Sequence, residues 1–231
     1  MKALYLNDME LMRFEAVVLE ADATSVVLGR TAFYPSSGGV AHDTGTLATS
    51  DGVYRVLRVH KENERIIHEV DREGLEAGVS VNAMIDEMRR RTLMRAHTSA
   101  HLLAALFHTR GAKITGNQID VDKSRMDFNI PAFDRGLIDE VFEEANALIA
   151  NGAKVSVSYL PREEALKNDH LVKLANVVPP DVEELRIVSI EGIDEQADGG
   201  CHVSDIREIG PISFVKADNK GKGNRRVYWT I

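Results

Sequence analysis

Between residues 12 and 85, apolar side chains alternate with polar ones in short runs broken by turn signals. Phe14–Leu19 and Ser25–Gly29 flank a polar loop, Tyr54–Val59 follows Asp51-Gly52, and Arg65–Val70 and Val79–Ile85 complete the set. Period-two runs bounded by such turns predict strands, and many short strands in succession predict a small barrel or a curled sheet. Near residue 86 the period changes. Leu93, Ala96, Ala100, Leu103 and Phe107 recur at spacings of three and four, the mark of an amphipathic helix, which Gly111 ends. Ile138, Val141, Phe142, Ala145, Leu148 and Ile149 predict a second helix, with Asp134 placed to cap its start and Asn151-Gly152 to end it. Val155, Val157 and Tyr159 alternate as a strand. Pro161–Lys167 reads as a short helix with proline in the tolerated first turn. Leu185–Ile190, Ile212–Val215 and Arg226–Ile231 read as further strands. The expected class is α+β, with a barrel domain over 1–86 and an α+β domain over 87–231. No low-complexity linker or internal repeat separates the two.

Composition narrows the class without naming a function. The chain has 231 residues, of which 44% are hydrophobic and 28% charged, ordinary values for a soluble globular protein. No apolar run reaches the ~18 residues of a membrane span, and the N-terminus lacks the apolar core of a secretion signal. The single cysteine, Cys201, cannot close an internal disulfide, which fits a reducing cytosol. A cytoplasmic protein is therefore expected. The net charge of −8 argues against a nucleic-acid binder that works by bulk attraction to phosphates. It leaves room for a local basic face, either Arg89-Arg90-Arg91 with Arg95, or Lys216, Lys220, Lys222, Arg225 and Arg226; the plain alternative is solvated surface charge.

Two segments carry the candidate chemistry: His97-Thr-Ser-Ala-His101 and Asp198-Gly-Gly-Cys-His202. Imidazoles four residues apart on a helix project from one face toward a common point. The second segment offers another imidazole, a thiol and a carboxylate within five residues. Together they supply the donors to hold one zinc ion. His97, His101 and His202 are the favoured ligands. The fourth is Asp198, Cys201 or water. Asp198 ranks first, as ligand or as partner of a water, because Cys201 adjoins His202 and neighbouring side chains in an extended loop point apart. Cys201 is otherwise a small buried filler. His108 stands eleven residues beyond His97, a rise of roughly 16 Å along a helix, too far to share the ion. His42, His60, His68 and His170 read as surface or packing residues.

These segments, with three others in the same order along the chain, resemble the free-standing alanyl-tRNA editing proteins, relatives of the editing domain of alanyl-tRNA synthetase. Thr31-Ala-Phe-Tyr-Pro-Ser-Ser-Gly-Gly-Val-Ala-His-Asp-Thr-Gly45 is similar to the family's glycine-rich segment, and Arg95–His101 to its first zinc motif. Gly116–Phe128 is similar to the strand pair behind the site, and Asp198–Val203, followed by Glu208-Ile-Gly210, to its second zinc motif. Lys220–Tyr228 resembles the closing segment. The resemblance implies an N-terminal β-barrel and a C-terminal editing domain with helices on an antiparallel sheet, in a member of medium length. It implies a zinc-dependent deacylase that removes serine or glycine from tRNA(Ala). Two departures stand out. Asp198 occupies a position that is usually cysteine and Cys201 one that is usually threonine, and the glycine-rich segment ends Gly38-Gly39-Val40 where the family has Gly-Gly-Gln.

An aminoacyl ester is already activated, so its hydrolysis needs a positioned water and support for charge on the carbonyl oxygen. A metal serves either by activating water or by holding the substrate's amino group. Sparing alanine while cutting serine requires a group that bonds the hydroxyl. Thr31 is the candidate for that bond, with an ordinary strand residue as the alternative. Gly38 and Gly39 allow close backbone approach or form a tight turn. Gln118 and Asn117 offer further polar groups, whereas Arg125 and Asp127 are expected to brace the sheet as an ion pair. The partner expected is the acceptor end of tRNA(Ala), with no membrane, and the protein a monomer or weak dimer. A rival from another class is a non-catalytic RNA-binding module with a closed, structural zinc. A zincin protease is disfavoured, since Thr98 stands where a His-Glu-x-x-His motif needs glutamate.

Overall fold

The computed structural model describes residues 2–129, 135–167, 171, 182–221 and 223–231. Its contacts divide the chain into two compact units, Met1–Leu93 and Met94–Ile231. The division falls inside a helix, whereas the change of sequence period sits near residue 86.

The first unit is a closed antiparallel barrel. Its strands are β2 (Arg13–Asp22), β3 (Ser25–Leu28), β5 (Gly45–Thr49), β6 (Gly52–Glu62), β7 (Arg65–Val70) and β8 (Ser80–Ile85), in the order β2-β3-β7-β6-β5-β8. Closure leaves no unpaired edge in the ring. Inward residues alternate as the pattern requires: Phe14, Ala16 and Val18 on β2, and Val81, Ala83 and Ile85 on β8, are buried. Strand β5 was not legible, because Leu47 is the one fully buried residue in Gly-Thr-Leu-Ala-Thr. Two short strands, β1 (Lys2–Ala3) and β4 (Arg30–Thr31), pair in parallel outside the ring.

Arg90 is neither part of a basic face nor solvated charge, whereas Arg91 stays at the surface. The Arg90 guanidinium is buried, forms an ion pair with Asp43, and donates to Met9 O at 2.9 Å and Ala32 O at 2.6 Å. Asp43 also accepts from Tyr34 N–H at 2.6 Å. A buried charge persists only when paired and fully hydrogen-bonded, and this pair ties the glycine-rich segment to the helix start. Arg91 is engaged by Glu87 and Glu10, and Arg89 Nε donates to His42 O.

The helix α1 (Glu87–Thr109) starts at Asp86, whose side chain accepts from Arg89 N–H at 3.1 Å. It ends at Gly111 (φ +81°), where Gly111 N–H reaches His108 O and Ala112 N–H reaches Phe107 O, a Schellman pattern that needs the left-handed glycine. In the second unit α1 packs on an antiparallel sheet of order β14-β15-β10-β9, built from β9 (Ile114–Gln118), β10 (Ser124–Phe128), β14 (Ser213–Asn219) and β15 (Arg225–Thr230). Phe107 meets Phe128 with ring centroids 4.2 Å apart, and Trp229 Nε1–H donates to Ser99 Oγ at 2.9 Å. The helix α2 (Arg135–Asn151) buries Ile138, Val141, Phe142, Ala145 and Ile149, and Asn146 exchanges two hydrogen bonds with the Ile212 backbone. Its expected cap, Asp134, lies outside the described residues, as do His170 and Lys222.

A second sheet joins β11 (Val155–Pro161), β12 (Glu184–Ile190) and β13 (Asp194–Ala197); the short α3 (Arg162–Ala165) follows Pro161. Strand β13 was missed. Its sequence, Asp-Glu-Gln-Ala, has no apolar alternation, yet Asp194 and Gln196 are its buried residues.

Candidate metal centre

Helical spacing sets His97 and His101 one above the other on α1, on the side that faces the loop after β13. That loop returns His202 between them. Ring centroids are 5.1 Å apart for His97 and His101, 4.2 Å for His97 and His202, and 4.7 Å for His101 and His202. The carboxylate of Asp198 closes the group. Its Oδ1 is 3.0 Å from His202 Nε2, and its Oδ2 is 3.6 Å from His97 Nε2 and 3.9 Å from His101 Nε2. One donor atom from each of the four residues lies within 4.8 Å of all the others, close enough to hold a metal ion. Ligands at zinc-like bond lengths of ~2.0–2.1 Å sit about 3.3 Å apart in a tetrahedron, so small shifts bring all four into one coordination sphere.

The loop holds this shape through its backbone. Asp198 Oδ1 accepts from Gly200 N–H at 2.6 Å, an Asx turn. Arg186 on β12 donates to Asp198 O at 2.8 Å. Gly200 is needed for space rather than for conformation. A Cβ there would lie 2.3 Å from His97 Cε1, 2.5 Å from His97 Nδ1 and 2.9 Å from Asp198 Oδ1.

Hydrogen bonds behind the rings point their other nitrogens inward. The Thr98 hydroxyl donates to Met94 O at 2.9 Å, as helical threonines do. Its oxygen therefore accepts from Val203 N–H at 3.2 Å and from His202 Nδ1–H at 3.1 Å. That tautomer leaves His202 Nε2 bare, facing a carboxylate oxygen. Two lone pairs at 3.0 Å repel unless a cation lies between them, and a divalent ion satisfies both. His101 Nδ1–H donates to Asp194 Oδ2 at 3.1 Å, which bares its Nε2 as well. The Cys201 backbone acts on the His97 ring, but Nδ1 closes no hydrogen bond.

Electrostatics favour the ligand form of each group. Burial holds His97 well below its ordinary pKa, more strongly than Asp198 pulls it back up. Burial likewise lowers His202 to about 4, against the pull of the neighbouring Asp198 carboxylate. Burial alone would raise the Asp198 carboxyl, but the three facing rings outweigh it and hold the acid well below the usual carboxylate range. Neutral imidazoles around one carboxylate are what a divalent cation requires. The Asp198 side chain keeps 21% exposure, against 0 to 8% for the three histidines, so the cluster opens to solvent on the carboxylate side.

Cys201 is buried and stands outside this donor group. The sequence marks Thr98 only as a departure from a protease motif and does not mark Asp194 at all, because local spacing gives no sign of a hydrogen bond made across 104 or 93 positions. Among the other residues considered, Gln118 is exposed on β9 and accepts from Arg125 at 3.2 Å. Arg125 and Arg226 both pair with Asp127, at 3.3 and 2.7 Å. Lys216 pairs with Asp218. In the barrel unit, Gly38 (φ +60°) and Gly39 (φ +82°) form the turn of a two-residue hairpin closed by Ser37 and Val40. Thr31 is fully buried there. His68, held near pKa 4 by burial, donates its Nδ1–H to Val26 O and accepts the Thr31 hydroxyl at Nε2 (2.9 Å), while Phe33 N–H donates to Thr31 Oγ1.

A barrel unit joined to an α+β unit with a buried histidine–carboxylate cluster defines the class, and comparison with known families agrees with it. Residues 3–89 match the family described as tRNA synthetases class II (A), and residues 185–228 match the threonyl and alanyl tRNA synthetase second additional domain. The chain is 42% identical over 232 residues to the alanyl-tRNA editing protein AlaX-M of Saccharolobus solfataricus, covering 99% of this chain and 98% of that protein. It is 44% identical over 239 residues to AlaX-M of Methanosarcina barkeri, covering 100% and 98%. Similarity extends to the alanine–tRNA ligase of Pyrococcus furiosus, 34% identical over 232 residues, where 98% of this chain covers 25% of the ligase. The chain belongs to the AlaX-M alanyl-tRNA editing proteins.

Proposed function

We propose that the protein is a trans-editing deacylase that hydrolyses the ester linking serine, and also glycine, to the acceptor end of tRNA(Ala), with one zinc ion held by His97, His101, His202 and Asp198. The observation that carries this is the convergence of bare imidazole nitrogens from α1 and from the 198–202 loop on one ionised carboxylate, in a chain of this family. When bound, the ion supplies positive charge for the substrate's amino group or for the oxygen on which charge develops. The chain's own groups do the rest. Thr98 and Asp194 fix ring orientation, and Gly200 leaves room for His97. Asp198, ionised and partly exposed, completes the ligand set or accepts a hydrogen bond from the attacking water. The imidazoles of His97 and His202, neutral by burial, add no charge that would repel an aminoacyl ammonium. No helix among the described residues is long and apolar enough to cross a membrane; we place the protein in the cytoplasm, where its substrate is made.

The purified, zinc-loaded protein is expected to deacylate seryl-tRNA(Ala) and to leave alanyl-tRNA(Ala) largely intact. Equal rates on the two would end the specificity claim. The rival reading, a non-catalytic module with structural zinc, draws on the fact that four protein donors are the number a closed site uses. It predicts stoichiometric zinc with no turnover of either substrate.

Thr31 is proposed to read the serine hydroxyl, and its bonds define how. Its proton is committed to His68 and one lone pair to Phe33 N–H. What remains is one lone pair, so a serine O–H must be the donor, and alanine has none to give. Thr31→Val is expected to cut the preference for serine over alanine by at least about tenfold, since a site built to hydrogen-bond a hydroxyl can reject the analogue lacking it by about 10⁴–10⁵. It also strands His68 Nε2 and Phe33 N–H, costing about 1–3 kcal/mol of stability. Thr31→Ser restores the hydroxyl and separates the two effects. Unchanged selectivity in the valine variant removes Thr31 from the account. Gly38, Gly39, Gln118 and Cys201 remain proposals for substrate contact, open to the same measurement.

A further inference from the structure

We propose that Asp194, on β13, is the positioning residue that fixes His101 as a metal ligand; this rests on the metal reading above. The residue does not belong to the donor group. Its Oδ2 lies 3.1 Å from His101 Nδ1 and accepts from Gln196 Nε2–H at 2.7 Å. A carboxylate has no proton to give, so the ring must donate from Nδ1. That choice of tautomer turns the Nε2 lone pair toward Asp198. Partners of this kind hold the ring's angle and raise the basicity of the nitrogen that binds metal.

The strand itself argues for the role. Its register with β12 pairs Ile190 with Asp194 and Val188 with Gln196, so Asp194 and Gln196 share one face. That face is buried, and the Asp194 side chain has 0% exposure. A strand serving only to cover a core would place apolar side chains there. Burying an anion is costly without matched donors, and the donors to Oδ2 include the His101 ring and the Gln196 amide. The three rings are also supported unequally. Among the described residues, His202 leans on the neutral Thr98 hydroxyl, His97 Nδ1 closes no hydrogen bond, and His101 has a carboxylate behind it. Asp194 therefore fixes the angle and tautomer of the His101 ring through a charged acceptor.

The test measures Zn2+ affinity by competition with a chromogenic chelator, together with the visible spectrum of Co2+-loaded protein and the melting of metal-stripped protein. Asp194→Ala is expected to weaken Zn2+ binding by about 10- to 100-fold and to alter the Co2+ bands. Asp194→Asn can keep an oxygen in the Oδ2 position, accepting from both His101 and Gln196, while the charge is lost and the second oxygen becomes an amide donor. It is expected to fold and to lose Zn2+ affinity at the low end, about tenfold. If the alanine variant does not fold, the asparagine variant decides alone. Wild-type affinity and an unchanged Co2+ spectrum in the folded variants overturn the role of Asp194 and leave the metal reading intact. A wild-type protein that binds neither Zn2+ nor Co2+ overturns both.

Discussion

Replacing His97 by alanine is expected to abolish tight metal binding and, with it, deacylation of seryl-tRNA(Ala). His97 supplies one of three imidazole nitrogens around Asp198, and its loss removes a donor from the group of four and opens the buried side of the cluster. Deacylation should fall by at least about 10²–10³-fold, the scale on which loss of a preorganised charge-stabilising group is felt. Thermal unfolding gives an independent readout. A ligand that binds only the folded state stabilises it by about 2.7 kcal/mol when present at one hundred times its Kd, several degrees of melting temperature for a unit of this size. Zinc should raise the melting temperature of the wild type by that amount and leave His97→Ala unmoved. A variant that keeps full activity after metal stripping would end the metal reading.

Gly200→Ala should be nearly as damaging, although Gly200 donates no side chain to the cluster. The residue sits in a backbone conformation open to any amino acid, so the cost is purely one of space. The new Cβ would fall 2.3 Å from His97 Cε1, a separation real Cβ atoms do not reach. Both neighbours it meets, the His97 ring and the Asp198 carboxylate, belong to the donor group. Relief requires moving one of them, and a displacement near 1 Å in a reacting constellation can cost about 10²-fold. Overpacking of this kind destabilises by about 1–3 kcal/mol, so the variant should still fold. The expected result is a folded protein with weakened Zn2+ binding and kcat/KM reduced about 100-fold. Wild-type Zn2+ affinity and turnover in Gly200→Ala would show that the ring and loop are not in the contact described.

Where the sequence could be read, it was read through side-chain periodicity. The two helices of the second unit and most barrel strands announce themselves because they bury apolar residues at fixed intervals. Strands β5 and β13 do not. The first carries one fully buried apolar residue, and the second buries an aspartate and a glutamine. A pattern built on burial of apolar surface is blind to a strand whose inward face is polar, and β13 is polar because of what it touches. The same blindness hid Arg90, which sits in a run of three arginines and yet is buried against Asp43.

That His97 and His101 share a helix face follows from their spacing alone, since rise and rotation per residue are local properties of the backbone. The sequence also showed that a glycine-rich loop would carry a third imidazole beside a carboxylate and a thiol. It did not determine which of those last two turns inward. Tertiary structure placed the Asp198 carboxylate among the rings and kept Cys201 out of the donor group, because the Asx turn at Asp198–Gly200 and the Arg186 anchor fix the loop's direction. It also chose the partners behind the rings: Thr98 for His202, from 104 positions away, and Asp194 for His101, from 93. Hydrogen bonds across such separations depend on where whole sheets and helices settle, and no short-range rule of sequence encodes that.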